Sequence, residues 1–244
     1  MSEPAGMSAG PLVVVSPHLD DGVLSCGALL AAHPGSRVIT IFAGRPPAGA
    51  PLTEWDAAAG FGPRDDVMGA RREEDRAALA LLNAAPLWLD FCDAQYGVAA
   101  SVEDIAVALE AAIDGSSLRT VLVPLGLFHS DHHLAADGCL ALVRRRPDLQ
   151  PFAYADVPYR RIPGLLDERL SALAQTGWRL ERLEPCRGGA TAKRAAVACY
   201  RSQLRALGTP GRLGHGDAFA EEWYWRLTPP AKRSARRVEL VHRV

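Results

Sequence analysis

Residues 11–16, PLVVVS, are apolar at successive positions rather than alternate ones. A strand with one wet face alternates apolar and polar side chains. A continuous valine-rich run fits a strand covered on both faces, the habit of a parallel sheet flanked by helices. The same kind of segment recurs at 37–44 (RVITIFAG), 86–91 (PLWLDF), 119–124 (RTVLVP) and 152–157 (FAYADV). Between them lie helical segments at 22–33, 65–83, 102–113 and 131–145, the second opened by a capping pair, Asp65 and Asp66. Strand and helix in alternation predict an α/β chain: a Rossmann-like, mostly parallel sheet with helices on both faces. Connections in such folds are short, so RPPAGAPLTEWDAAAGFGPRDD at 45–66 reads as a functional lid or rim. Beyond residue 157 the pattern loosens, and a helix over 191–207 is its clearest element. A chain of 244 residues suits one domain with a substantial core. The expected layout is a disordered lead over 1–10 and a single domain over 11–244.

Charge and cysteine usage exclude several classes. Lysine plus arginine number 27 against 28 acids, a net charge of −1, which favours neither nucleic acid nor an anionic membrane. The basic stretch 231–244, AKRSARRVELVHRV, reads as a solvated edge. The five cysteines are scattered and form no C-x-x-C pair, so neither a disulfide scaffold nor a thiolate metal site is expected. No apolar run is long enough to span a bilayer, and the N-terminus lacks the features of a signal peptide. A cytoplasmic protein is the resulting expectation.

Two polar clusters interrupt this apolar pattern. The first strand runs directly into Pro17, His18, Leu19, Asp20 and Asp21; the strand at 119–124 is followed by His129, Ser130, Asp131, His132 and His133. Ligands of open α/β sheets sit at the carboxyl ends of the strands, so both clusters belong to one sheet edge. Imidazole and carboxylate suit a divalent metal, and a catalytic site keeps three protein ligands plus an open position for water. His18 and Asp21, three residues apart at a strand-to-helix turn, can face one point, and a histidine of the second cluster would complete the set. Asp20 then remains free to take a proton from the water whose pKa the metal lowers. Each cluster alone also fits a plain helix cap, through Asp20, Asp21 or Asp131. Their recurrence after two buried strands of one sheet favours the metal centre.

These motifs resemble those of the PIG-L/LmbE-like N-deacetylases. The family's AHPDDE motif stands here as Pro17-His18-Leu19-Asp20-Asp21-Gly22, and its HxDH motif as His129-Ser130-Asp131-His132. Weaker similarities are Arg71-x-x-Glu74 ahead of an alanine-rich helix, Asp93 after the third strand, and the late segment 193–204, KRAAVACYRSQL. The resemblance implies zinc bound by His18, Asp21 and His132, with iron(II) suited to the same ligands. It implies Asp20 as general base and His129 as the group facing the acetyl carbonyl or the departing amine. Asp131 would orient His129. Arg71 and Asp93 would contact sugar hydroxyls, with Arg72 an alternative to Arg71. Leu19 replaces the usual proline, and Gly22 replaces a glutamate that would have offered a contact at the helix N-terminus or toward substrate. His133 is read as a neighbour of the ligand position.

The implied reaction removes the acetyl group from an N-acetylglucosamine-type sugar or glycoconjugate: a thiol precursor, a glycolipid or an antibiotic-linked sugar. Two other readings share the residues, an amidase acting on a larger thiol or sugar conjugate and a non-catalytic sugar-binding protein. A binding module has no use for Asp20 beside a complete ligand set. No G-x-G-x-x-G or Walker lysine follows the first strand, so nucleotide binding has no support. Arg71, Glu74 and Asp93 also admit bland roles as helix-surface and turn residues, and the aromatic run EEWYWRL at 221–227 reads as a core stripe.

Overall fold

The computed structural model describes residues 7, 10–98, 100–186 and 188–231. Of the expected lead only Met7 and Gly10 fall among these, and Met7 is packed in the core. The rest of the lead, and the basic stretch beyond Ala231, lie outside the described residues.

The valine-rich runs form the centre of a seven-stranded sheet. Its strands are β1 (Val13–Ser16), β2 (Arg37–Thr40), β3 (Ala85–Trp88), β4 (Thr120–Pro124), β5 (Gln150–Tyr154), β6 (Arg179–Arg182) and β7 (Tyr224–Thr228), in the order β3-β2-β1-β4-β5-β7-β6. The first five are mutually parallel; β7 runs antiparallel to β5, and β6 to β7. Helices α1 (Asp21–Ala32), α3 (Val67–Leu81), α7 (Ala190–Val197) and α8 (Arg201–Leu207) cover one face, and α4 (Val102–Asp114), α5 (Ser130–Arg145) and α6 (Leu165–Gln175) the other. A short helix, α2 (Glu54–Ala59), lies inside the long 45–66 segment. Val14 and Val38 pack toward the first face, Val13, Val15 and Ile39 toward the second. Both faces of these strands are dry, which is why their sequences do not alternate.

The C-terminal third differs most from expectation. The helix expected over 191–207 is broken, because Tyr200 turns inward and Glu74 of α3 caps the new N-terminus, accepting from Ser202 N at 2.9 Å and Ser202 Oγ at 2.6 Å. The run 221–227 enters β7, an interior strand between β5 and β6, where Tyr224, Trp225 and Leu227 are core residues. The chain order reverses between β1 and β4, the switch point where ligand sites form in such sheets.

Candidate active site

Ser16, the last residue of β1, shapes the first cluster. Its hydroxyl donates to the His18 carbonyl and accepts from Gly22 N at 2.8 Å, closing a tight strand-to-helix turn. Within that turn His18 N donates to Asp21 Oδ2 at 2.9 Å, and His18 Nδ1 lies 3.2 Å from the same oxygen. A Cβ at Gly22 would lie 3.2 Å from Ser16 Oγ and from Val38 Cγ1, so this position is turned toward the sheet. The reading of Gly22 as a lost substrate-side contact is corrected accordingly.

The second cluster enters from the end of β4. His132, on the first turn of α5, brings Nε2 to 3.1 Å from Asp21 Oδ2. His18, Asp21 and His132 thus offer ligand atoms within 4.8 Å of one another, all three side chains well buried. His18, His129 and Asp131 form a second, overlapping group. Two imidazoles and a carboxylate around one point match the donor set of a divalent catalytic metal. His133 belongs to neither group.

The two caps considered from sequence do not form through these side chains. Asp20 occupies the N-cap position of α1 without a side-chain capping bond and lines the cavity. The N-cap of α5 is His129, whose Nδ1 accepts from Asp131 N at 3.2 Å. That bond fixes Nε2 as the donor nitrogen of a neutral His129 ring. The Asp131 carboxylate, expected beside His129, lies 4.0 Å from it and instead reaches His18 Nε2 at 3.1 Å, where it also accepts from Ala94 N. The cause is backbone geometry: the ring of His129 is already occupied by the helix-capping bond.

Burial and the adjacent Asp21 charge push the Asp20 carboxyl up to about 6. Burial also opposes ionisation of Asp21, yet His132 and His18 hold it well below the usual carboxylate range. Burial and the neighbouring His18 lower His129. Adjacent carboxylates are thus driven apart, one firmly ionised and one with raised proton affinity, as a ligand and a base require.

Arg71 is buried, lines the cavity and leaves Nε and Nη1 without a hydrogen-bond partner, Nη1 lying 4.0 Å from the Asp93 carboxylate. Buried unpaired guanidinium donors are costly and mark a place for an acceptor. Arg72 is not an alternative, since its Nε and a terminal nitrogen donate to Ala43 O at 3.0 and 2.6 Å. Asp93 lines the cavity while capping the following turn through Gln95 N at 3.0 Å. Glu74 is no helix-surface partner; it caps α8.

The cavity above these groups has a volume of about 550 Å³. Its floor is polar, and its walls are apolar: Trp55 of α2, Phe128, Pro158, Tyr159, Ile162 and Leu213. Phe128 adopts a left-handed φ of 64° and remains 61% exposed, its ring stacked on Tyr159 at 5.2 Å. Trp55 lies in the 45–66 segment read as a lid or rim, and Pro158, Tyr159, Ile162 and Leu213 lie in the later part of the chain; strand and helix periodicity says nothing about loops, so no wall residue was named individually from sequence. Asp156 was missed too: its carboxylate meets His132 Nδ1 at 2.7 Å. The available signal was an acid ending the apolar run FAYADV, the same pattern that marks Asp20 and Asp21.

Comparison with known proteins agrees with this geometry. The family model described as "PIG-L: GlcNAc-PI de-N-acetylase" matches residues 13–143, more than half the chain. Among solved structures, the A40926 pseudoaglycone deacetylase Dbv21 is 27% identical, with 92% of this chain and 100% of that one covered and a TM-score of 0.73. A triple mutant of the deacetylase Orf2 of the teicoplanin biosynthetic pathway is 27% identical, covering 89% of this chain and 98% of that one, with a TM-score of 0.75. The N,N'-diacetylchitobiose deacetylase of Pyrococcus horikoshii shares the fold at 14% identity, with 91% and 84% covered and a TM-score of 0.51. No curated protein matches the chain in sequence. With both His/Asp motifs converging at the switch point of a deacetylase fold, the chain belongs to the PIG-L family and is a sugar deacetylase.

Proposed function

We propose that this deacetylase acts on an N-acetylated amino sugar joined to a bulky, largely apolar aglycone, using a divalent metal held by His18, Asp21 and His132. The observation that carries this reading is the union of a buried two-histidine, one-aspartate cluster and a spare carboxylate, Asp20, at the floor of a large cavity with apolar walls. A cavity of about 550 Å³ falls in the range that encloses drug-sized ligands, more than one acetamido sugar fills. The antibiotic-pathway deacetylases among its structural neighbours support an amphipathic glycoconjugate of this kind.

A divalent ion at this position supplies Lewis acidity to the acetamide carbonyl and lowers the pKa of a water beside it. Asp20 accepts the proton of the attacking water and delivers it to the departing amine. Its raised proton affinity suits both halves of that exchange. His129, neutral and with Nε2 as its donor, stabilises the oxyanion by hydrogen bonding. Arg71 offers its unpaired donors to sugar oxygens, with Asp93 as the opposing acceptor. Acetate and a free amino sugar leave.

The test is amine release from methyl, aryl and long-chain alkyl N-acetylglucosaminides with protein loaded with zinc or iron(II), using chelated protein and Asp20→Asn as controls. Metal-dependent release, fastest with the aryl and alkyl glycosides and lost in the variant, is the expected result. Release that survives chelation, or no release from any glycoside by fully loaded protein, refutes the proposal.

A further inference from the structure

We propose that Asp156 is a positioning residue of the metal centre: it holds the His132 proton on Nδ1 and thereby presents Nε2 as the ligating nitrogen. The inference rests on the metal-centre reading and goes beyond it by assigning the residue that prepares one ligand.

Asp156 follows β5 and is 1% exposed. Each carboxylate oxygen has a separate task. Oδ1 meets His132 Nδ1 at 2.7 Å, and Oδ2 accepts from Gly126 N at 3.0 Å. The Gly126 amide is a fixed donor. Its φ is 80°, and a Cβ there would sit 2.6 Å from Ala136 Cβ and 2.8 Å from the His132 carbonyl, so the backbone is seated directly against α5. An amide that cannot move pins Oδ2, and the planar carboxyl group then fixes where Oδ1 stands. On its other sides the His132 ring meets the Tyr159 ring edge-on at 5.0 Å and the Asp21 carboxylate at 3.1 Å. The ring has one orientation, with Nδ1 committed to Asp156 and Nε2 facing the ligand cluster. A neutral imidazole has one donor and one acceptor nitrogen, so a proton held at Nδ1 leaves the Nε2 lone pair for the metal. Carboxylate partners of metal-bound histidines act in this way, and losing one typically costs 10–100-fold in metal affinity.

The chemistry of the pair makes Asp156→Asn a sharp probe. Asp156 offers two acceptors to two donors. An asparagine of the same shape offers one acceptor and one donor. If its oxygen stays on Gly126 N, its amide donates to His132 Nδ1 and drives the proton to Nε2, which removes the ligand. If the amide is turned over, it opposes the Gly126 N–H. Neither arrangement leaves the site intact.

The experiment measures zinc affinity of wild type and Asp156→Asn by competition with a fluorescent chelator, without substrate, alongside thermal unfolding of both metal-free proteins. The expected result is a 10–100-fold weaker zinc affinity in the variant, with both metal-free proteins unfolding cooperatively. Affinity within twofold of wild type overturns the proposal, as does a lower metal-free Tm with unchanged affinity, which would make Asp156 a purely structural residue. If the variant does not fold, imidazole ¹⁵N NMR of the zinc-loaded wild type decides. A protonated Nδ1 on His132 is required, and a protonated Nε2 overturns the assignment. Because no turnover is read, failure here is distinguishable from failure of the deacetylase substrate reading.

Discussion

Replacing Asp75 with asparagine should make the protein more stable at neutral pH, even though both hydrogen bonds to the carboxylate look favourable. Asp75 lies on α3, is fully buried, and accepts from Trp88 Nε1 at 2.7 Å and Tyr200 Oη at 2.8 Å. Burial raises its pKa from 3.8 to about 7 despite those two donors, and the nearby Asp20 charge adds to the rise while Arg76 opposes it. The native pKa lies above the unfolded one, so the native state binds more protons between pH 4 and 7. Stability contributed by this carboxyl is therefore complete below pH 4 and is lost as pH rises toward 7. At about 1.4 kcal/mol per pH unit, the full loss across that window is about 4 kcal/mol. Asparagine keeps an acceptor for Trp88 and can donate to the Tyr200 oxygen, and it carries no charge to desolvate. Urea unfolding of chelated wild type and Asp75→Asn at half-unit steps from pH 4 to 8 reads the difference directly. The variant's stability relative to wild type should climb by roughly 2–4 kcal/mol from pH 4 to 7 and level off above. Parallel curves across that window would refute the reasoning, because they would mean that Asp75 ionises as easily in the fold as outside it.

Other expectations follow from the cavity floor and wall. His132→Ala should lose stoichiometric metal and turnover together, by equilibrium dialysis and amine release, whereas Asp20→Asn should keep its metal and lose 10²–10⁴-fold in kcat. Normal turnover in Asp20→Asn would remove it as the base. Arg71→Ala should lower kcat/KM by about 10–100-fold, the loss of a charged hydrogen bond worth roughly 1.5–3 kcal/mol, with metal affinity unchanged. Phe128→Ala should lower kcat/KM about tenfold for an aryl glycoside through lost apolar contact, and leave a methyl glycoside within twofold.

What could be read from the sequence was local. The dry valine runs, the alternation of strand and helix and the Asp66 cap depend on neighbours within a few residues, and Asp66 does accept from Gly69 N at 2.9 Å. His18, Asp20, Asp21 and His132 were legible because each cluster interrupts an apolar pattern at a strand end. Short helix α2 carried a visible signal as well, Thr53 accepting from Asp56 N at 3.0 Å and Gly60 closing the turn at φ 97°, but the proline and glycine around it masked that signal. The break before α8 was not legible. Its cause, Glu74, is 128 residues from Ser202 in the chain. Nor was the partner of Asp131, since only the folded turn shows that the Asp131 amide has already engaged the His129 ring.

This division between local and distant signals follows the division of labour in the molecule. Every proposed metal ligand, together with Asp20 and His129, lies within residues 13–143, the part that the family model matches. The wall of the cavity, by contrast, is assembled across the chain. Trp55 of the long loop donates from Nε1 to Gln203 Oε1 of α8 at 3.0 Å, and Arg212 covers its ring at 4.5 Å. Pro158, Tyr159, Ile162 and Leu213 complete the wall from beyond residue 143. Substitutions in the wall should change what the cavity accepts without moving the proposed metal ligands, which sit on the turns after β1 and β4. Asp156 is different: it comes from the later part of the chain, yet its carboxylate reaches into the motif and grips His132. Substitutions in the later part are therefore expected to fall into two kinds, those that alter substrate choice and those, centred on Asp156, that alter the metal.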